Sequence, residues 1–320
     1  MFENIFTFHF LTIASIIAST SIAVGIGQGL GGKEMLKALI LQPAARSEIS
    51  RTFILGMALV ETSAIFALTM GFIMLSPHFN HPHIDLLCYA EVGIALALCI
   101  AGSVVGIGAS YPAQAACFAT ARQPFFAQKI QILMLLTQSI MQTPMLCAFI
   151  IGLLIRTNTL SIVTFAHSIQ QIAAGLCIGL ASIGPTYGLA RFAHQVCTSV
   201  GRNRAAYPQL LSFTLISEAI IESPLIFALV VALMILNIPL SAASLATHGL
   251  TLLGVGIVMG LGTFGVGIGS GNTAAQACHE IEQKPHLYNL FSRTSLIIQV
   301  LIETCAIYTF LIAISIMVMQ

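Results

Sequence analysis

The sequence predicts an all-α membrane protein of eight transmembrane helices, arranged as four tandem helical hairpins. Three observations carry that prediction. Apolar residue types make up 57% of the 320 residues and charged types only 7%, a balance that puts most of the chain in lipid. Eight apolar segments, at roughly 5–32, 53–75, 86–121, 130–155, 162–200, 209–236, 240–275 and 294–319, each reach or exceed the ~20 residues that a helix needs to cross the hydrocarbon. The segments also repeat: Glu61, Gln142, Glu222 and Glu303 recur at a near-constant interval of about 80 residues, which marks tandem copies of one unit.

The breaks between segments are of two alternating kinds. One kind is basic: Gln42-Pro43 with Arg46 and Arg51, Arg122-Gln123-Pro124 with Lys129, Arg202-Asn203-Arg204, and Gln283-Lys284-Pro285 with Arg293. The other is short and nearly uncharged: Ser76 to Asp85, Arg156 to Leu160, and Asn237 to Leu240. Every Lys and Arg except Arg156 lies in or near the basic kind. The positive-inside rule therefore puts the four basic loops in the cytoplasm and both termini outside. The hairpins run over residues 1–80, 81–160, 161–238 and 239–320. In each, the carboxylate-type position stands at the same offset after the loop position held by Pro43, Pro124, Arg204 or Pro285.

Composition excludes several functions. A net charge of +1 argues against a nucleic-acid partner. The eight cysteines fall mostly inside apolar runs and read as small core residues rather than a disulfide framework. His78, His81 and His83 cluster in a linker without Cys or acidic partners at ligand spacing, so no metal site is expected. The first residues lack a basic region and a small-residue cleavage site, and no signal peptide is expected. No nucleotide-binding motif or nucleophile triad is present, so the chain is not expected to be an enzyme by itself.

A carboxylate within an apolar span costs roughly 2.5–3.5 kcal/mol on insertion scales. Glu61, Glu222 and Glu303 must therefore be protonated, paired or ion-bound, and three in matched register point to ion carriage. The first helix of each hairpin is rich in glycine: Gly25, Gly27, Gly29 and Gly31 in the first, Gly265, Gly267, Gly269 and Gly271 in the fourth. Positions 25 and 29 share one face, and 27 and 31 share another about 200° away. Small residues on two faces let neighbouring helices approach on both sides.

With these features, each hairpin resembles the c-subunit, the proteolipid of the rotary ATP synthase membrane rotor. The resemblance rests on the glycine-rich first helix, the loop that stands intact as Arg122-Gln123-Pro124, and the mid-helix carboxylate. It covers the chain four times over. Fused hairpins with one carboxylate missing look more like the vacuolar-type branch, whereas the loops look more like the F-type. The resemblance implies a ring of copies in the bacterial inner membrane, turning against the stator a-subunit and its arginine. It implies ion binding at Glu61, Glu222 and Glu303, and central-stalk subunits gamma and epsilon seated on Gln42, Pro43, Arg122, Gln123, Pro124, Arg202, Asn203, Lys284 and Pro285. Lipids are the remaining partner, and no cofactor is implied beyond the transported ion.

The four sites differ. Gln142 cannot ionise, so three ions are expected per four hairpins. Each position is followed by a hydroxyl: Thr62, Thr143, Ser223 and Thr304. In sodium-carrying members of the family such a hydroxyl works with a glutamine at a set place on the first helix. Here that place holds Gln28, Ala109, Leu189 and Ser270. Only Gln28, Glu61 and Thr62 make the full sodium-type set, and protons are the expected cargo, with Na+ as the alternative. Glu218 lies one turn before Glu222, with Gln138 and Gln299 at the equivalent places. These residues read either as a polar lining for the ion carboxyl or as buried groups satisfied in place. An eight-helix transporter built from inverted repeats is the competing class, but here every basic loop falls on the same side.

Overall fold

The computed structural model describes residues 2–76, 84–158, 162, 164–239 and 246–319. The histidine cluster at 78, 81 and 83 lies outside the described residues.

Among the described residues, eleven α-helices form four long pairs. Helices α1 (Phe2–Leu41) and α2 (Arg46–Leu75) make the first. The second has α3 (Ile84–Gly108) and α4 (Ser110–Arg122) as one rod, and α5 (Ala127–Ile140) and α6 (Thr143–Thr157) as the other. The third joins α7 (Phe165–Ala181) and α8 (Ile183–Arg202) to α9 (Tyr207–Asn237). The fourth pairs α10 (Ala246–Gln283) with α11 (Tyr288–Val318). Eight rods, 33 to 38 residues long with their capping turns, are long and apolar enough to cross a membrane. They run beyond the apolar segments because helix continues through the polar ends into the loops.

Three rods are interrupted, each just before a proline. Pro112, Pro144 and Pro185 supply no N–H to the carbonyls four residues earlier, at Gly108, Ile140 and Ala181. The breaks fall at Ala109, Met141–Gln142 and Ser182. Pro224 sits inside an unbroken α9, where the Ser223 hydroxyl donates to the freed Ile220 carbonyl at 2.8 Å.

Each basic loop closes with one 3-10 turn beginning at Pro43, Pro124, Arg204 or Pro285. The third turn lacks the proline that pre-sets φ. Asn203 compensates, its side-chain oxygen accepting from Ala205 N at 3.1 Å. Loop side chains also join neighbouring hairpins: Gln123 Nε2 donates to Gly201 O and Asn203 Nδ2 to Glu282 O, both at 2.8 Å.

The pairs stand side by side in chain order as two layers. Helices α1, α3–α4, α7–α8 and α10 form one row, and α2, α5–α6, α9 and α11 the other. In the first row backbones nearly touch: a Cβ on Gly27 would meet the Gly106 carbonyl oxygen, and one on Gly188 the Gly267 oxygen. In the second row large side chains intervene, as in Phe66–Phe149 and Phe227–Phe310, each with ring centroids 5.3 Å apart. Two rows tied pair by pair but spaced unequally must curve, with the closer-spaced glycine row on the concave side. The two-faced glycine pattern is met in part. Gly27 packs on the second hairpin and Gly31 on Met57 of α2, whereas Gly25 and Gly29 meet nothing within 4 Å. Gly254 and Gly265, at the far end of the row, are equally open.

One basic residue of the uncharged linkers is not a linker residue at all. Arg156 lies within α6, buried, with its guanidinium 3.0 Å from Glu91 Oε1 and donating to the Ser76 carbonyl. His9 Nδ1 approaches the other Glu91 oxygen at 2.6 Å. Arg156 is thus the hub of a buried ion cluster. Among the cysteines, six of the eight are buried, Cys99 is partly exposed and Cys305 exposed, and all are free thiols.

Candidate ion-binding positions

The repeat brings Glu61, Gln142, Glu222 and Glu303 to one height on the outer row. Glu61 is exposed, Glu222 and Glu303 are partly exposed, and Gln142 is 9% exposed. Helical spacing fixes this height, since each follows its loop at the same offset.

The sites are shared between consecutive hairpins. Ser223, from the third hairpin, forms a short hydrogen bond with Glu303 of the fourth. Thr143, from the second, lies beside Glu222 of the third. The hydroxyl of one hairpin therefore serves the carboxyl of the next. Ser223 Oγ also reaches the Ile220 carbonyl at 2.8 Å. A hydroxyl has one proton and two lone pairs. When that proton goes to Ile220, Ser223 accepts from a protonated Glu303, and every group is satisfied.

Gln142 stands at the equivalent junction, between the first and second hairpins, in neutral form. Its Nε2 donates to the Leu59 carbonyl at 2.8 Å, and the Thr62 hydroxyl donates to that same oxygen at 2.7 Å. Leu59 is the counterpart of Ile220, and Thr62 the counterpart of Ser223. The amide thus imitates a protonated carboxylic acid. Thr62 stands at the Gln142 position, so the sodium-type set of Gln28, Glu61 and Thr62 is divided between two sites. Among the described residues no hydrogen bond joins these three to one another.

The hydroxyl that would complete the Glu61 site by this pattern is Thr304. Thr304 Oγ1 donates to Leu301 O at 2.7 Å, at the opposite edge of the chain.

Gln138 and Gln299 hydrogen-bond inward rather than to the carboxylates. Gln138 Nε2 donates to the Gly56 and Ala109 carbonyls at 3.1 and 2.7 Å. Gln299 Nε2 donates to Ser295 Oγ at 3.0 Å and Ser217 Oγ at 3.4 Å. Glu218 is fully buried and neither oxygen has a hydrogen-bond partner; the buried Ser270 Oγ is also unpartnered.

The loops carry a second feature. Arg122, Gln123, Pro124, Phe125, Arg202, Asn203 and Arg204 line a cleft of about 530 Å³ between the second and third loops. Phe125 stands fully exposed at its edge, and Lys284 and Pro285 form the corresponding turn of the fourth loop.

Sequence reasoning missed the His9–Glu91–Arg156 cluster. The available signal was a further carboxylate inside an apolar run together with a cation in an otherwise uncharged linker. It also missed Gln131, whose Nε2 donates to Thr52 Oγ1 at 3.0 Å. With Gln138, Gln142 and Arg156, this residue ties the second hairpin's outer rod to α2 along its length.

Tandem apolar hairpins with carboxylates at one depth define a membrane proteolipid. The sequence profile of the ATP synthase C-subunit family matches residues 11–74, 172–235 and 253–316, more than half of the chain. The chain belongs to that family, and the three matched stretches are those carrying Glu61, Glu222 and Glu303. It is similar to the ATP synthase c-subunit of Alkaliphilus oremlandii (strain OhILAs), 36% identical over 74 residues, 23% of this chain and 81% of that protein. The c-subunit of Geotalea uraniireducens (strain Rf4) is 32% identical over 98 residues, 31% of this chain and 98% of that one. The K-subunit of the A-type ATP synthase of Methanocaldococcus jannaschii is 29% identical over 238 residues, 74% of this chain and 99% of that protein. The chain is a multi-pass proteolipid of the rotary ATPase type.

Proposed function

We propose that this chain is the rotor subunit of a rotary ATP synthase and carries protons on Glu61, Glu222 and Glu303. The observation that carries this reading is the Ser223–Glu303 contact, together with the Gln142 amide, which donates to the Leu59 carbonyl at the equivalent junction between hairpins. A position whose neutral substitute is an N–H donor is one built for a protonated acid. The sodium reading requires oxygen ligands at every working site, yet Gln28 has no amide counterpart at Leu189 or Ser270.

Copies join head to tail, the Gly25 and Gly29 edge of one against the Gly254 and Gly265 edge of the next. Such a heterologous contact closes into a ring when its rotation divides a full turn. Thr304 of one copy then completes the Glu61 site of its neighbour. In lipid, a carboxyl keeps its proton because the anion is costly there. Beside the arginine of the stator a-subunit the anion is favoured and the proton leaves. Each charge moved across the membrane is worth ~2.3 kcal/mol per 100 mV. Gln142 carries nothing, so four hairpins move three protons per passage.

The basic loops face the cytoplasm of a bacterial cell, with both termini outside. The arginine-lined cleft and Phe125 seat acidic and apolar side chains at the foot of the central stalk, formed by subunits gamma and epsilon.

A hydrophobic carbodiimide, which attacks protonated carboxyls in lipid, tests the reading. Labelling is expected at Glu61, Glu222 and Glu303, with loss of ATPase coupling and no protection by sodium. Sodium protection at Glu222 or Glu303 would replace the proton reading with the sodium one. Labelling of none of the three would reject ion carriage.

A further inference from the structure

The two open edges of the glycine row carry opposite charge toward their loop ends. On α1, beyond the open Gly25 and Gly29, stand Lys33 and Lys37, both exposed. On α10, beyond the open Gly265, stand Asn272, Gln276 and Glu280. Contacts inside the chain give the register in which two such edges meet. Between the second and third hairpins the Tyr111 ring packs on His194, centroids 6.3 Å apart, and a Cβ on Gly201 would meet Ala119. The repeat carries Tyr111 and Ala119 to Asn272 and Glu280, and His194 and Gly201 to Lys33 and Ile40. In a head-to-tail pair, Asn272 of one copy then faces Lys33 of the next, and Glu280 faces Ile40. Lys37 lies one turn before Ile40, within reach of that glutamate.

We propose that Lys37 and Glu280, with Lys33 and Asn272 deeper along the row, form a charged latch that selects a second copy of this chain, head to tail. The proposal rests on the head-to-tail assembly above and adds the groups that choose the partner. Those groups have capacity to spare. Lys37 Nζ donates to Glu34 at 2.7 Å, and an ammonium has two further N–H groups. Glu280 Oε1 accepts from Gln276 Nε2 at 2.8 Å, which leaves its other oxygen. Among the described residues Lys33 makes no hydrogen bond or ion pair. Asn272 Oδ1 has no partner within the chain, and turning the amide over presents that oxygen at the edge. At the internal junctions the places of Glu280 and Lys37 hold Ala38 and Phe118, Ala119 and Thr198, and Ser199 and His279. None of these pairs a lysine with a carboxylate. Both latch charges stand within about two turns of the loops, where a long side chain keeps its head near water. Complementary charge acts chiefly on partner choice, because a wrong partner brings like charges together. Two α1 edges would set lysine against lysine, and two α10 edges glutamate against glutamate.

The test co-expresses the full-length chain with a tagged chain carrying both Lys37→Glu and Glu280→Lys. Native mass spectrometry of the detergent-extracted assemblies reads their composition, the tag separating the masses. Each chain is compatible with itself, whereas every mixed junction brings like charges together. Mixed assemblies are expected about ten-fold or more below their statistical share, and the deficit should shrink in high salt. Expressed alone, Lys37→Glu and Glu280→Lys should each assemble less than the unsubstituted chain, and the double substitution should recover. Lys37→Glu also loses the Glu34 pair, which Glu280→Lys of a neighbour does not rebuild, so recovery reads the junction itself. Lys33→Met should lower the assembled fraction as well. Statistical mixing, or a double substitution that assembles no better than either single one, would overturn the latch and leave head-to-tail assembly standing. An unsubstituted chain that stays monomeric would overturn both.

Discussion

Replacing Ser223 with alanine removes one hydroxyl from the third hairpin and should be felt at a carboxyl in the fourth. Ser223 Oγ reaches both the Ile220 carbonyl and Glu303. The proposed ground state has the hydroxyl accepting from protonated Glu303. A hydrogen bond of this kind contributes about 0.5–1.5 kcal/mol net, which makes the protonated form about 2- to 13-fold less populated once the hydroxyl is gone. Carbodiimide reacts with that form. The assay is the labelling rate of each glutamate, read by peptide mass spectrometry on the alkaline limb of the wild-type profile, where rate follows protonated population. Glu303 should slow by about the factor above, and Glu61 and Glu222 should keep their wild-type rates. Thr143→Val should change the labelling rate of Glu222 and leave Glu303 at its wild-type rate. Loss of labelling at Glu222 in the Ser223 variant, or no change at Glu303, would refute the assignment of each hydroxyl to the following hairpin.

Other substitutions test separate parts of the structure. Gln142→Glu should fold, because a protonated acid can donate to Leu59 O as the amide does; it should add a fourth labelling site and raise the protons moved per chain from three to four. Gly25→Leu meets open space and Gly27→Leu meets the Gly106 carbonyl. The first should leave the thermal midpoint of the detergent-solubilised chain unchanged but weaken assembly on native gels, whereas the second should lower the midpoint itself. Glu91→Gln leaves the buried Arg156 guanidinium without its carboxylate and should cost about 3–5 kcal/mol. Glu91→Gln combined with Arg156→Gln should recover part of that loss in the same melting experiment.

Much of the fold was legible because the repeat is an arithmetic feature. A single period of about 80 residues sets hairpin number, loop position and carboxylate depth together. The helix interruptions were not drawn from the sequence, although Pro112, Pro144 and Pro185 each stand a few residues beyond one. A proline can end a helix or, as Pro224 does in α9, leave it continuous, and the surrounding packing decides which. The carboxylates and hydroxyls were visible as neighbours along the chain, but their pairing was not. Which hydroxyl serves which acid depends on the order in which hairpins stand side by side, and that is a property of packing. Arg156 was misplaced for the same reason: its position next to a linker suggested solvent, and only the approach of α3 showed the carboxylate waiting for it.

The one-hairpin shift between hydroxyl and carboxyl divides labour in a way the gene does not show. Residue for residue, Thr62 serves a glutamine and is released from ion duty, while in the proposed ring Thr304 works for a molecule other than its own. An isolated chain then holds two finished ports, and the third exists only where strangers meet. Co-expressing a copy defective at Glu61 with one defective at Thr304 should create junctions of four kinds, one of them whole, so activity would report who stands beside whom.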